Sequence, residues 1–87
     1  MTIKAEKLLN EFTENLDLQI FLYEKEIATF EQAKEEMAKE FDNFETFIVS
    51  ALHYKMISVK DFKEISESRP SKIYMSKYDT LNSKHYK

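Results

Sequence analysis

Two histidines are the side chains in this chain that most readily bind a metal ion or transfer a proton near neutral pH. Neither His53 nor His85 has a glutamate three or four residues away, which is the spacing that brings two metal ligands to one helix face. Glu35 and Glu36 are adjacent, so on a helix they point in different directions and do not pair as acid and base. We therefore predict neither a catalytic site nor a metal site.

Glycine and cysteine are absent from all 87 residues. A phosphate-binding loop needs glycine so that the backbone can approach the phosphate closely, and we therefore expect no nucleotide cofactor. Without cysteine there is no disulfide, no thiolate nucleophile and no cysteine-ligated zinc. These absences favour a binding protein that uses no cofactor over an enzyme.

Apolar residues follow a seven-residue repeat across residues 9–51, and this repeat predicts the helix that must position any binding residues. Two columns of apolar residues recur at the spacing typical of a helical seam. One column contains Ile20, Ile27, Phe41 and Ile48, and the other contains Leu9, Leu16, Tyr23, Phe30, Met37, Phe44 and Ala51. No glycine or proline interrupts the repeat. We predict one long or kinked amphipathic central helix, with a kink at residues 13–17 or at Asp42 and Asn43.

A short helix should follow the seam. Ser58 with Asp61 three residues later predicts a capped helix near residues 59–67, and Pro70 is expected to stop it. Beyond Pro70 the apolar residues are separated by polar ones, which indicates an extended C-terminal tail.

The predicted fold class is all-α. The predicted organisation is a helical domain at residues 1–69 and a basic, tyrosine-containing C-terminal tail at residues 70–87. An alternative α+β fold, with short strands near residues 16–23 and 72–78, stays open because the first of these segments also alternates apolar and polar residues.

Charge is distributed unevenly along the chain. Residues 11–45 carry eleven carboxylates against three lysines, whereas residues 69–87 carry five basic side chains against Asp79 alone. We expect the basic tail to fold against the acidic body, although contacts with nucleic acid are an alternative. The residues expected to make the tail contacts are Lys72, Tyr74, Lys77 and Tyr78.

Two sets of residues are candidates for binding. Four mid-chain carboxylates should form one exposed acidic strip that binds a partner with a basic surface: Glu31, Glu35, Glu36 and Glu40. The apolar seam predicts an internal core, a dimer interface, or both together. The residues expected to mediate self-association are Tyr23, Ile27, Phe30, Met37 and Phe41.

These features predict a non-enzymatic domain that binds another protein, as a regulator or inhibitor, and forms a dimer. The alternative is a role directed at nucleic acid, either as a DNA mimic or as a weak DNA-binding transcriptional regulator with a helix-turn-helix at residues 44–66. That role ranks second because carboxylates dilute Lys60 and Lys63 on the candidate recognition helix.

The chain is expected to be cytoplasmic. No charged leader opens it, and no apolar run approaches the roughly 18 residues of a membrane span. In size, acidity, lack of cysteine and rich use of lysine, glutamate and isoleucine, it resembles the small inhibitor and adaptor proteins carried by phages and other mobile elements, anti-CRISPR proteins among them. That resemblance is one of composition, and it implies an inhibitor that acts by binding a protein.

Overall fold

The computed structural model describes residues 2–86, so Met1 and Lys87, the outermost residues of the two predicted segments, lie outside it. It contains four helices: α1 (Ile3–Glu24), α2 (Phe30–His53), α3 (Val59–Glu67) and α4 (Pro70–His85). No strand occurs among the described residues. The all-α prediction is confirmed, and the α+β alternative is wrong because residues 16–23 lie in α1 and residues 72–78 lie in α4.

The helices form a three-helix bundle whose third member is bent. α1 and α2 pack antiparallel, and α3 and α4 together return along both of them. One fully buried side chain from each helix occupies the common core: Leu16, Met37, Ile65 and Leu81. Because every helix contributes to a single core, the loss of any one of them would expose the other three.

The seam belongs to two helices rather than to one. α1 ends at Glu24 and α2 begins at Phe30, whereas both predicted kink sites lie within uninterrupted helix. The longer apolar column is nevertheless buried at every position except Tyr23, which is half-buried. The repeat continues across the break because the turn returns the chain to the same core with its apolar face inward. Ile27, in the turn itself, is 70% exposed.

Two turns of the same geometry connect α1 to α2 and α2 to α3. Glu26 and Lys55 adopt the left-handed conformation, with φ of 60° and 58°. The amide after each of them donates to the carbonyl oxygen five residues earlier, at 2.9 Å in the first turn and 2.8 Å in the second, which is the Schellman pattern. Three residues later, Thr29 and Ser58 begin the next helix with reciprocal capping boxes. The Ser58 cap confirms the helix start predicted from sequence.

Glycine at the left-handed position of each of these two turns should stabilise the protein. A residue with a Cβ pays about 1–2 kcal/mol to adopt this conformation, part of which glycine loses again through its greater freedom in the unfolded chain. Glu26→Gly and Lys55→Gly are each expected to raise the free energy of unfolding by about 0.5–1 kcal/mol, as measured by chemical denaturation. The matched control is Lys25→Gly, at a position with φ of −87°, which should destabilise. A gain at Lys25, or none at Glu26, would contradict this account.

The predicted extended tail is instead a helix. Pro70 occupies the first turn of α4, where its missing amide costs no intrahelical hydrogen bond and its fixed φ suits a helix. The proline therefore ends one helix and begins the next, with Arg69 in the left-handed conformation between them (φ 54°). The apolar residues that face the core recur about every three or four residues, first as the adjacent pair Ile73 and Tyr74 and then as Tyr78 and Leu81, whereas Met75 and Tyr86 are exposed.

Hydrogen bonds fasten the start of α1 to α3. The Thr2 hydroxyl accepts from the Ala5 amide at 3.1 Å, capping α1, and donates to the Asp61 carboxylate, while the Thr2 amide donates to the Glu64 carboxylate. Asp61 also accepts from the Ser58 amide at 3.1 Å. The hydrogen bonds from Thr2 and Ser58 hold the pKa of Asp61 below its usual value, because they favour the charged carboxylate.

Asp61 should make the free energy of unfolding depend on pH. A carboxyl whose pKa is lower in the folded state contributes stability above its unfolded pKa, about 3.9, and that contribution is lost as the pH falls through the folded value. The gap in unfolding free energy between wild type and Asp61→Asn should therefore be largest above about pH 5 and shrink below about pH 4. Denaturation at several pH values measures it, and Asp79→Asn controls for the loss of one exposed charge. A gap that does not change with pH would contradict the role of Asp61.

Candidate protein-binding surface

The four carboxylates predicted to form the acidic strip lie on two sides of α2 rather than along one strip. At about 100° per residue, Glu31 and Glu35 fall on one side, and Glu36 and Glu40 fall close to the opposite one. The second pair borders α1, where the side-chain amide of Asn15 donates to Glu40 at 3.2 Å. Glu40 is half-buried and the other three are exposed. Binding of a partner by these carboxylates stays a prediction.

Lysines on α2 offset part of this negative charge. Lys34 lies 3.3 Å from Glu31, and Lys39 lies 3.3 Å from Glu36. The hydrogen bond with Glu31 raises the pKa of Lys34 above its usual value. Exposed pairs of this kind typically contribute about 0–1 kcal/mol, so a partner can displace them at little cost.

The residues predicted to mediate self-association lie mostly in the core of a single chain. Phe30 and Met37 are buried, and Tyr23 and Phe41 are half-buried and pack against the core. Only Ile27 in the first turn is largely exposed. The intramolecular core therefore accounts for the burial of this set, and formation of a dimer stays a prediction.

The basic C-terminal segment packs against the acidic body. Lys77 on α4 lies 2.7 Å from Asp17 on α1. About two helical turns further along both helices, Lys84 lies 2.9 Å from Glu24. Both pairs are partly exposed, so they orient α4 on α1 more than they stabilise the fold.

The predicted tail tyrosines lie at the contact between α4 and α2. The Tyr74 ring stacks on Phe41 with 4.9 Å between ring centroids, and Tyr78 is half-buried beside it. Burial, together with the nearby Tyr78 and Asp42, raises the pKa of Tyr74. Lys72 is exposed. Three of the four predicted tail residues thus take part in packing or ion pairing within the chain.

An open groove of about 250 Å³ lies between α1 and α2, beside Glu40. Its lining consists of four apolar side chains, two amides and two carboxylates: Leu8, Phe12, Phe44, Phe47, Asn15, Asn43, Glu11 and Glu40. The Phe12 and Phe44 rings stack at 4.5 Å, and Phe47 is 45% exposed. Within the described residues, no basic side chain lines this groove, so it is both apolar and acidic.

The groove follows two antiparallel rows of side chains. The α1 row is Leu8, Glu11 and Asn15, and the α2 row is Phe47, Asn43 and Glu40, each spaced by three or four residues. At 1.5 Å per residue the α1 row is about 10 Å long. We refer to these two rows and the space between them as the α1–α2 groove.

Sequence reasoning did not find the α1–α2 groove. A single central helix places Leu8 and Phe47 far apart, whereas the turn at residues 25–29 folds them to the same end of the helix pair. The available signal was that Phe47 lies outside both apolar columns, so it extends the apolar surface beyond the seam.

Both histidines are exposed. The His85 ring stacks on Phe30 with 3.9 Å between ring centroids, and its Nδ1 lies 2.9 Å from the Tyr23 hydroxyl. Residues 2–86 contain no group of three side chains placed to hold a metal ion. Over the same residues, no helix combines the length and apolar character needed to cross a membrane.

No family model, curated protein or solved structure matches this chain.

Proposed function

We propose that this protein is a non-enzymatic regulator or inhibitor that binds a basic surface on another protein through the carboxylates of α2. The observation that carries the proposal is the pair of carboxylates on the α1 side of α2, exposed Glu36 and half-buried Glu40, beside the apolar lining of the α1–α2 groove. Carboxylates attract a basic partner and speed its association, while the apolar groove supplies the surface that holds it. A cytoplasmic inhibitor of the kind carried by phages, the class that the composition resembles, would act in this way.

A second candidate is weak contact with nucleic acid through α3. Lys60 and Lys63 are exposed, whereas two of the carboxylates that dilute them in the sequence, Asp61 and Glu64, are bound to Thr2 at the start of α1. The outer face of α3 is therefore less acidic than its sequence suggests. Binding to DNA at low salt that is lost in a Lys60→Gln and Lys63→Gln double variant would favour this candidate.

Removing the four predicted carboxylates of α2 should weaken partner binding without affecting the fold. Replacing Glu31, Glu35, Glu36 and Glu40 together by glutamine is expected to lower affinity at least about tenfold at low ionic strength, because the steering charge is lost. The melting temperature should change little, since three of the charges are exposed and each contributes within about 0.5 kcal/mol, and Glu40→Gln keeps a side-chain oxygen that can accept from Asn15. Affinity capture from the native host, followed by titration of the purified partner, measures the effect.

The matched control removes four exposed carboxylates elsewhere. This variant carries Glu6→Gln, Glu26→Gln, Glu67→Gln and Asp79→Asn. It has the same net charge as the α2 variant. It should therefore retain most of the affinity for the partner if the position of the carboxylates, and not only their number, governs binding. Equal binding by the wild type and the α2 variant would eliminate the carboxylates from the mechanism, and equal losses in both variants would reduce their role to net charge.

A further inference from the structure

We propose that the α1–α2 groove binds an arginine side chain presented by a basic helix of the partner protein. This inference rests on the function proposed above, because it specifies the chemistry of the partner that the same side of α2 engages. Charge complementarity identifies the occupant: Glu11 and Glu40 line the groove from opposite helices, and no lysine or arginine of the described chain lies between them.

Arginine fits this lining better than lysine does. The guanidinium group is planar, so it can stack on the exposed ring of Phe47 and donate two hydrogen bonds to one carboxylate, whereas an ammonium group is a compact, strongly hydrated charge. Asn15 donates to Glu40 and thereby holds that carboxylate at the edge of the groove. The side-chain oxygen of Asn43 is a further acceptor.

The dimensions of the groove favour one long side chain. Its volume of about 250 Å³ is below the range of roughly 300–1,000 Å³ typical of pockets for drug-sized ligands. The stacked rings of Phe12 and Phe44 provide an apolar floor for the methylene groups of an arginine. A groove about 10 Å long between two helices accommodates about two turns of a third helix, with an apolar contact at Leu8.

The test uses N-acetyl-arginine N-methylamide, titrated into the full chain labelled with ¹⁵N. We expect saturable chemical-shift changes concentrated at the side-chain amides of Asn15 and Asn43 and at the backbone of Phe47, with a dissociation constant of order 10 mM. The citrulline analogue, which matches arginine in shape but lacks the charge, and the lysine analogue should each bind at least about fivefold more weakly.

Two variants locate the bound arginine. Phe47→Ala and Glu40→Gln should each weaken the probe at least about threefold, because one removes the ring and the other a carboxylate charge. Val49→Ala, an exposed apolar residue on another side of α2, is the control and should leave binding unchanged. Melting temperatures establish that all three variants are folded. Equal binding of the citrulline or lysine analogue, shift changes outside the groove, or no loss in either groove variant would overturn the proposal.

The outcomes separate this inference from the proposed function. If the affinity for the partner depends on the α2 carboxylates but the groove binds no arginine, the proposed function stands and the arginine site is rejected. Arginine binding in the groove, together with a partner whose affinity is unchanged when Glu31, Glu35 and Glu36 are replaced by glutamine and Glu40 is kept, would sustain arginine binding by the groove and reject the function as stated.

Discussion

Replacing Met37 by aspartate should leave the chain unfolded. Met37 is fully buried where α2 meets the other helices, so the variant would place an unpaired carboxylate in an apolar core, at a cost of several kcal/mol. A domain of this size has a total stability of about 4–13 kcal/mol, at roughly 0.05–0.15 kcal/mol per residue. Met37→Ala, which removes apolar contacts without adding charge, should lose about 2–5 kcal/mol. Circular dichroism and chemical denaturation measure both variants.

The control for Met37→Asp is Ala38→Asp, which adds the same charge to the same helix at an exposed position. It should cost less than about 1 kcal/mol. The unfolding midpoint of the wild type should also be independent of protein concentration if Met37 lies in the core of one chain, because a dimer is stabilised by mass action. A folded Met37→Asp monomer derived from a wild-type dimer would instead place this residue at an interface between chains.

Leu81→Ala should loosen the whole bundle rather than the C-terminus alone. Leu81 is the one buried side chain of α4 and is fully enclosed by the core, so its truncation should cost about 2–4 kcal/mol. For a domain of 60–100 residues, each kcal/mol lowers the melting temperature by about 4–8 °C. Met75→Ala, on the same helix but 54% exposed, is the matched control and should change stability by less than about 0.5 kcal/mol.

A chain shortened to residues 1–69 extends this experiment to the predicted domain boundary. Removal of α4 exposes the apolar core along α1 and α2, and we expect the shortened chain to lose its cooperative thermal transition. An unchanged transition would show that residues 1–69 fold independently and that α4 is an accessory.

The sequence was sufficient to predict the all-α class, the Ser58 cap and the longer buried column, because each depends on local chemistry or on the period of the apolar pattern. The break between α1 and α2 was missed because Lys25 and Glu26 favour helices, and the left-handed position lacks the usual glycine. Thr29 and Gln32, which form a capping box, were the missed signal.

The C-terminal helix and the α1–α2 groove were missed for different reasons. Pro70 was interpreted only as a stop, although proline is also favoured in the first turn of a helix. The groove depends on which residues become neighbours across two helices, and that information follows only once the turn is located. The position of Glu36 and Glu40 beside α1, apart from Glu31 and Glu35, likewise depends on the neighbouring helix.

The two short turns also bear on how quickly the chain acquires its structure. Each brings helices that are consecutive in the sequence into contact, and proteins dominated by such local contacts typically fold in microseconds to milliseconds. The contacts of α1 with α3 and α4 are the exception: the hydrogen bonds from Thr2 to Asp61 and Glu64 close loops of 59 and 62 residues, and the pairs Asp17–Lys77 and Glu24–Lys84 close loops of similar length. Closing these loops carries the largest entropy cost, so we expect the start of α1 to join α3 only after the helix pairs have formed.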